Sequence, residues 1–271
     1  MGNRQNLALF AQALCLITAA CCQIGWAQQE DEDIKNAIIR YRTAIEANPN
    51  NPATRLKLGR VYLMSGNTQG AIEQFKAAIR LQPENPEAYA NISRAYLRLG
   101  NLEQSLENMR TAVTLDPNNA DVHYKLGQLL MRKDRVEEAV KEFRQTIKLN
   151  PQHAGAHRDL GAAYGLKGDV DGQIFEEKKA LEFAPEDADA FYYLGSAYLS
   201  KGQTDEAKRY LTRCVELDAK NADALRLLGA IQAAGGEIET AIKTEEAALK
   251  LDPNNEAIKT TLKKLRAAGS K

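Results

Sequence analysis

One period runs through most of this chain: a proline recurs every 34 residues. Six of seven equally spaced positions are proline (Pro49, Pro83, Pro117, Pro151, Pro185 and Pro253), and Ala219 occupies the seventh. A fixed period of about 34 residues is typical of solenoids built from helix–turn–helix units. Such a chain presents a long surface and not a closed catalytic pocket. Evidence of function therefore has to be sought on that surface.

The same period places small, apolar and turn-forming residues at constant positions, counted from Pro52 as position 1 of each block. Position 8 has little bulk in every block, which lets two helix backbones pack closely: Gly59, Ser93, Gly127, Gly161, Gly195 and Gly229. Positions 4, 7 and 11 fall on one helix face and form an apolar stripe. Position 15 is glycine in five blocks and Asp134 in the third, which predicts a left-handed residue that ends the first helix.

A second helix follows in each block, with small residues at positions 20 and 27 of most blocks, and the proline stops it. The whole pattern resembles the tetratricopeptide repeat family. The resemblance covers six repeats, at 52–85, 86–119, 120–153, 154–187, 188–221 and 222–255. It implies an all-α fold: antiparallel helix pairs stacked into a right-handed superhelical solenoid with terminal capping helices. In this family the first helix of each pair lines the concave side.

Both ends of the repeat region are predicted to carry a cap. Residues 28–51 read as a polar linker followed by a lone second helix, and residues 256–271 read as a C-terminal capping helix. The latter has a single apolar stripe, formed by Ile258, Leu262 and Leu265. One apolar face and one polar face is what a terminal cap needs to keep a solenoid soluble.

Residues 1–27 have the layout of an export signal. Arg4 precedes an apolar run from Leu7 to Ile24 that contains only two glutamines, and acidic residues follow. We predict cleavage after Ala27. Two alternatives stay open: an uncleaved membrane anchor, since about 18 apolar residues is borderline for spanning, and lipid attachment at Cys21, where the match to a lipobox is weak. All three place the repeats outside the cytoplasm, either periplasmic or secreted.

Composition argues against several classes of function. With 36 basic and 36 acidic residues, the chain lacks the global positive field that nucleic-acid binding uses. Only Cys214 lies in the repeats, at a position reserved for small buried side chains. His123 and His157 occupy structural position 4, and no ligand set completes a metal site around them. We therefore predict no enzyme activity, no metal, no cofactor and no small-molecule substrate.

The resemblance implies that positions 2, 5, 9, 12 and 13 face the concave groove, and helical geometry agrees because they lie away from the apolar stripe. We predict that seven residues there bind a partner: Arg60, Arg94, Arg98, Tyr124, Gln128, Arg132 and Arg158. Guanidinium groups bind carboxylates in a bidentate fork, so an acidic protein segment is the expected ligand. The alternative is that the arginines are solvated or paired with Glu87 and Asp121.

The sequence thus predicts a non-catalytic, exported scaffold that binds an extended acidic segment of another protein in an arginine-lined groove. Two alternatives remain: a membrane-attached lipoprotein that helps to assemble an envelope or pilus machine, and an accessory subunit of an envelope enzyme. Only architecture supports these analogies.

The fourth repeat breaks the pattern at two positions. Gln173 and Glu177 stand at positions 20 and 24, where a small and an apolar residue are expected, and Glu245 repeats the second anomaly in the last block. Burying an unpaired carboxylate is costly. We therefore expect the second helix of this repeat to rotate, find a cation or open more readily than its counterparts.

Overall fold

The computed structural model of the chain describes residues 31–269, and all regular elements in this range are helices. The chain divides into two compact units, the first ending at Asp116 and the second beginning at Pro117. The helices of the first unit are α1 (31–47), α2 (Pro52–Met64), α3 (Thr68–Leu81), α4 (Pro86–Arg98) and α5 (Leu102–Leu115).

The second unit contains nine helices within the described residues, and they continue the alternation of a 13-residue and a 14-residue helix. They are α6 (Ala120–Arg132), α7 (Val136–Leu149), α8 (Ala154–Leu166), α9 (Val170–Phe183), α10 (Ala188–Ser200), α11 (Thr204–Leu217), α12 (Ala222–Ala234), α13 (Ile238–Leu251) and α14 (Glu256–Gly269). Each even-numbered helix up to α12 is the first helix of a repeat.

Local signals in the sequence explain where the helices begin and end. The side chains of Asn51, Asn85 and Asp187 each accept a hydrogen bond from the backbone N–H three residues further on, which satisfies one free donor of the helix start. Position 15 ends the first helix, as predicted: its five glycines have φ between 72° and 79°, and Asp134 has φ 57°.

Position 8 fits against position 24 within a repeat. A Cβ atom on Gly59 would lie 2.4 Å from Cε1 of Phe75, and one on Gly127 would lie 2.5 Å from Cε1 of Phe143. The missing side chain is therefore what allows a large apolar side chain of the second helix to reach the first helix. The second repeat has Ser93 instead, and its hydroxyl donates to the carbonyl of Ser105 at 2.7 Å.

Successive repeats are joined by contacts between a cation of the second helix and a tyrosine at position 11 of the next first helix. In the first unit Nε of Arg42 donates to the Tyr62 hydroxyl at 2.9 Å. In the second unit Arg144 donates to the Tyr164 hydroxyl through Nε at 3.0 Å and Nη2 at 2.6 Å. Two lysines lie near tyrosine rings in the same way: Lys76 at 6.0 Å from Tyr96 and Lys178 at 5.7 Å from Tyr198.

The terminal helices of the described range act as caps. Ile38, Tyr41 and Ile45 of α1 pack against the core of the first unit. At the other end the predicted stripe of α14 is buried, with Ile258 and Leu262 joining a cluster that includes Leu225. Cys214 is fully buried in the core of the second unit, which confirms its reading as a small core residue.

The fourth repeat accommodates its polar residues without interrupting α9. Gln173 lies over Gly165, where other repeats have a larger residue, and its Nε2 donates to the carbonyl of Tyr193 at 3.1 Å. Glu177 is fully buried. The faster opening expected of α9 stays a prediction.

Candidate functional site

Three of the predicted arginines form one group on the first helices of the first unit. Arg60 lies on α2, and Arg94 and Arg98 lie on α4; all three are exposed. The pKa of Arg94 is lowered, first by partial burial and then by the positive charges of Arg98 and Arg60. These guanidinium groups are close enough to act on one another. They are called the arginine patch below.

The arginine patch is only partly neutralised. Arg60 pairs with Glu87 at 2.7 Å, and both side chains are about half exposed. Arg94 donates to the neutral Asn91 amide oxygen at 3.0 Å, and Arg98 donates to the backbone carbonyl of Leu63. Neither Arg94 nor Arg98 has a carboxylate partner among residues 31–269. The solvated-or-paired alternative therefore describes Arg60 well, while two guanidinium groups keep an uncompensated charge.

Three other predicted residues meet in the second unit, where they form a hydrogen-bonded network with two aspartates. Arg158 donates from Nε and Nη2 to Oδ1 of Asp159, both at 3.1 Å, and from Nη1 to Asp187 at 2.9 Å. Gln128 donates from Nε2 to Oδ2 of Asp159 at 3.0 Å and to the Tyr124 hydroxyl at 2.9 Å. The charge of Arg158 is thus already engaged.

The electrostatics of this network follow from its two carboxylates. Burial by itself lowers the pKa of Arg158, but Asp159 and Asp187 raise it above its ordinary value. The pKa of Tyr124 is raised by burial first and then by Asp159. One guanidinium faces two carboxylates, so the network carries a net negative charge. Arg132 is exposed and has no hydrogen-bonded or ionic partner among the described residues.

Sequence reasoning missed Asp159 and Asp187. Asp187 occupies a position that other repeats fill with a helix-capping Asn or His, so capping alone accounted for it. Asp159 follows Arg158 directly, and residues adjacent in a helix point in different directions. Their convergence depends on Arg158 reaching across to the start of the next first helix, which no periodic pattern reports.

The histidines at position 4 are structural, as predicted. Each ring contacts the carbonyl of the preceding turn proline at 3.0 Å through Nε2 and a glutamate nineteen residues later through Nδ1: Pro117 and Glu142 for His123, and Pro151 and Glu176 for His157. Burial lowers the pKa of His157, but Glu176 and the Pro151 carbonyl raise it to a net value above the ordinary one.

Two further features of the described residues bear on function. Within residues 31–269, no three His, Cys, Asp or Glu side chains are arranged to hold a metal ion. None of the helices in that range is both long and apolar enough to cross a membrane. The predicted leader, residues 1–27, lies outside the described range.

Comparison with known proteins identifies the family. A family model described as the cilia and flagella-associated protein 70 C-terminal domain matches residues 11–197, which is more than half of the chain, and a tetratricopeptide repeat model matches residues 192–256. The chain belongs to the tetratricopeptide repeat family. A search of curated proteins found no match.

Solved tetratricopeptide repeat structures share the fold. PilW, a type IV pilus biogenesis factor, is 22% identical with a TM-score of 0.68, and the match covers 78% of this chain and 98% of PilW. YrrB, described as having an unusual peptide-binding site, is 20% identical with a TM-score of 0.60, covering 69% and 96%. A chain of the APC/C Cut9–Hcn1 hetero-tetramer is 18% identical with a TM-score of 0.68, covering 86% of this chain but only 46% of that one.

These similarities establish an all-α tetratricopeptide repeat fold. Proteins of this family are typically non-catalytic scaffolds that bind other proteins or peptides. At such low identities the relatives speak for the fold alone.

Proposed function

We propose that this protein is an interaction scaffold whose arginine patch binds carboxylates of an extended acidic segment in a partner protein. The observation that carries the proposal is the uncompensated charge of Arg94 and Arg98, whose hydrogen bonds go to neutral acceptors. Arginine forks bind carboxylates in a bidentate manner, and a charge-assisted hydrogen bond is roughly twice as strong as a neutral one. Partial burial first, and then the charges of Arg98 and Arg60, lower the pKa of Arg94, and an incoming carboxylate would relieve that charge repulsion.

The predicted binding residues of the second unit are less available to a partner carboxylate. Arg158 already has two carboxylate partners, so a partner carboxylate there would compete with Asp159 and Asp187. Tyr124 and Gln128 are held in the same network and offer polar contacts to a bound segment. Arg132 remains available as an isolated cation. The acidic ligand is therefore assigned to the arginine patch first.

The decisive experiment compares two peptides on the same protein. A fluorescein-labelled peptide of alternating glutamate and serine should bind residues 28–271, while the lysine–serine counterpart should not. Replacing Arg94 and Arg98 together by Ala should weaken binding by ten- to roughly a hundredfold, since the loss of one bidentate charge-assisted contact costs about 1.5–3 kcal/mol. Binding should also weaken as salt screens the charges.

Arg226→Ala is the matched control. Arg226 is likewise an exposed arginine on the first helix of a repeat, but it is paired with Asp223 at 2.9 Å. Its removal should leave binding of the glutamate peptide unchanged. Equal binding by wild type and the double variant, with helical content retained, would show that the arginine patch is a solvated surface.

We also propose that the protein is exported and acts outside the cytoplasm, because residues 1–27 place a positive charge before an apolar run and polar, acidic residues follow from Gln28. A reporter enzyme that is active only outside the cytoplasm, fused after residue 40, should be active; a silent fusion contradicts export. Mass spectrometry of the mature N-terminus distinguishes the routes. A free Gln28 supports cleavage, and a lipidated Cys21 supports the membrane-attached pilus or envelope assembly alternative.

A further inference from the structure

Position 24 is a core position of the repeat, and two repeats place a carboxyl group there. Four repeats have Phe75, Met109, Phe143 and Leu211, all fully or nearly fully buried. The fourth and sixth repeats have Glu177 and Glu245, which are just as buried, at 0% and 3% exposure. Each lies against the position-8 glycine, since a Cβ atom on Gly161 or Gly229 would be 2.7 Å from Oε1 of its glutamate.

Glu177 lacks any compensation for this burial. Both of its carboxyl oxygens are without a hydrogen-bond partner among the described residues. An ionised carboxylate with no donors in a protein interior is strongly unfavourable, and such a group takes up a proton instead. The helix α9 that carries Glu177 is nonetheless continuous from Val170 to Phe183. The packing of α9 therefore requires the neutral acid.

The charged groups around Glu177 reinforce this conclusion. From α8 it faces Arg158 and Asp159, and from the start of α10 it faces Asp187, Asp189 and Tyr193. Arg158 favours the ionised form, but this guanidinium is already bonded to Asp159 and Asp187. On α9 itself, Glu176 is bonded to His157, and Lys178 lies over the ring of Tyr198.

We propose that α9 is a proton-linked element of the second unit: it packs between α8 and α10 with Glu177 protonated, and loss of that proton releases it. Burial is the main cause that raises the pKa of Glu177 from 4.5 to about 10, and the nearby aspartates add to it. Because the folded pKa lies above the unfolded one, the stabilisation is complete below about pH 4.5 and is lost as pH rises toward 10. Acidification therefore tightens the repeat and alkalinisation loosens it.

Glu245 provides an internal comparison within the same unit. It has the same register against glycine, but only one of its carboxyl oxygens, Oε2, is both fully buried and without a hydrogen-bond partner. Its pKa is raised by burial, and Arg226 partly opposes this shift. We expect α13 to show the same direction of pH dependence as α9 but a smaller effect.

The consequence concerns the face of the second unit that carries Arg158. α9 lies behind α8 and contacts it along Gly161 and Gly165, while Arg158 and Asp159 project from α8 into the charged network. Release of α9 removes the support of that network without changing any residue in it. The inference does not depend on the arginine patch, which lies in the first unit.

Amide hydrogen exchange, corrected for intrinsic rates, tests the proposal on residues 28–271 between about pH 6 and 8.5. In wild type the open fraction of residues 170–183 should rise with pH, by up to tenfold per unit for one released proton. In Glu177→Gln, a neutral isostere, the slope should fall to the part that other groups contribute. Glu177→Leu, which copies Leu211 of the fifth repeat, should show the same reduced slope and be more protected at every pH. The contact of His157 with Glu176 also contributes stability that falls as pH rises, but this contact is present in all three proteins. The difference in slope between wild type and the variants therefore reports Glu177 alone.

Residues 204–217, which form α11 around Leu211, are the matched control and should show no comparable slope. A wild type without a slope at 170–183, or a slope in Glu177→Gln equal to that of wild type, overturns the proposal. An equal slope in 204–217 overturns the claim that the release is local. If Glu177→Gln fails to fold, infrared spectroscopy of wild type and of Glu177→Leu tests whether Glu177 is protonated. A protonated carboxyl band at neutral pH that Glu177→Leu removes supports the proposal, and no such band contradicts it.

Discussion

At the scale of single residues, positions 8 and 24 are complementary in size. Gly127 leaves room for Phe143, and the repeat that has Ser93 at position 8 has the smaller, unbranched Met109 at position 24, where it is buried. We predict that Gly127→Ala destabilises the protein by about 1–3 kcal/mol, because its Cβ would sit 2.5 Å from the Phe143 ring and the core would have to shift. Urea denaturation of wild type and variant measures the difference.

Adding Phe143→Met to Gly127→Ala imitates the second repeat and provides the control for this interpretation. The double variant should recover part of the lost stability, since methionine adapts to an irregular gap. The two changes should therefore be non-additive, as expected of residues in contact. Strictly additive losses would contradict a steric origin.

At position 4 the sequence predicts the burial of a side chain but not its hydrogen-bond partner. His123 and His157 were correctly placed on the buried side of the first helix, because position fixes the direction of a side chain. Their glutamate partners were not predicted, since the contact joins the two helices of a repeat. Arg55 makes the equivalent contacts, to the Pro49 carbonyl at 3.0 and 2.8 Å and to Gln74 at 3.3 Å. In these repeats a hydrogen-bonded donor replaces the tryptophan that the family often has.

At the scale of helices, the contacts between a second helix and the next first helix link neighbouring repeats. We predict that Arg144 and Tyr164 are energetically coupled by about 0.5–1 kcal/mol, because the pair combines hydrogen bonds with a cation over an aromatic ring at 5.6 Å. A double-mutant cycle with Arg144→Gln and Tyr164→Phe measures the coupling.

Arg209 serves as the matched control for that cycle. Its guanidinium lies 4.8 Å from the ring of Tyr210, its neighbour in the same helix, and so it joins no two repeats. Arg209→Gln combined with Tyr164→Phe should be additive. If the Arg144 cycle is also additive, the contact contributes nothing measurable to the junction.

The helices were more predictable than the site for a physical reason. Helix ends depend on local chemistry, such as the Asn51 cap and the left-handed glycines, so a 34-residue period reports them directly. The state of each arginine depends on partners from other helices. Arg94 and Arg158 looked alike in sequence, yet one donates to a neutral amide and the other to two carboxylates. Periodicity predicts the direction in which a side chain points, but it does not predict which residues from other helices contact that side chain.

At the scale of the whole molecule, stability is expected to be a sum over repeats and the interfaces between neighbours. In such a stack the terminal repeat depends on its cap more than interior repeats depend on any one helix. The last repeat has α14 as that cap, with Ile258, Leu262 and Leu265 buried. Leu225 and Ala248 belong to the cluster that Ile258 and Leu262 complete. Losing α14 therefore exposes the core of the sixth repeat.

We predict that a chain ending at Asn255 is destabilised by several kcal/mol, since burying each such side chain is worth about 1.5–3 kcal/mol. Hydrogen exchange should show residues 238–251 losing protection while residues 120–132, at the far end of the same unit, keep theirs. Leu262→Ala should reproduce the local loss in milder form, and the exposed Lys263→Ala should change stability by less than about 0.5 kcal/mol. Equal loss of protection at 120–132 in Leu262→Ala would mean that the second unit unfolds as one cooperative block, and that nearest-neighbour interfaces do not limit the spread of a defect.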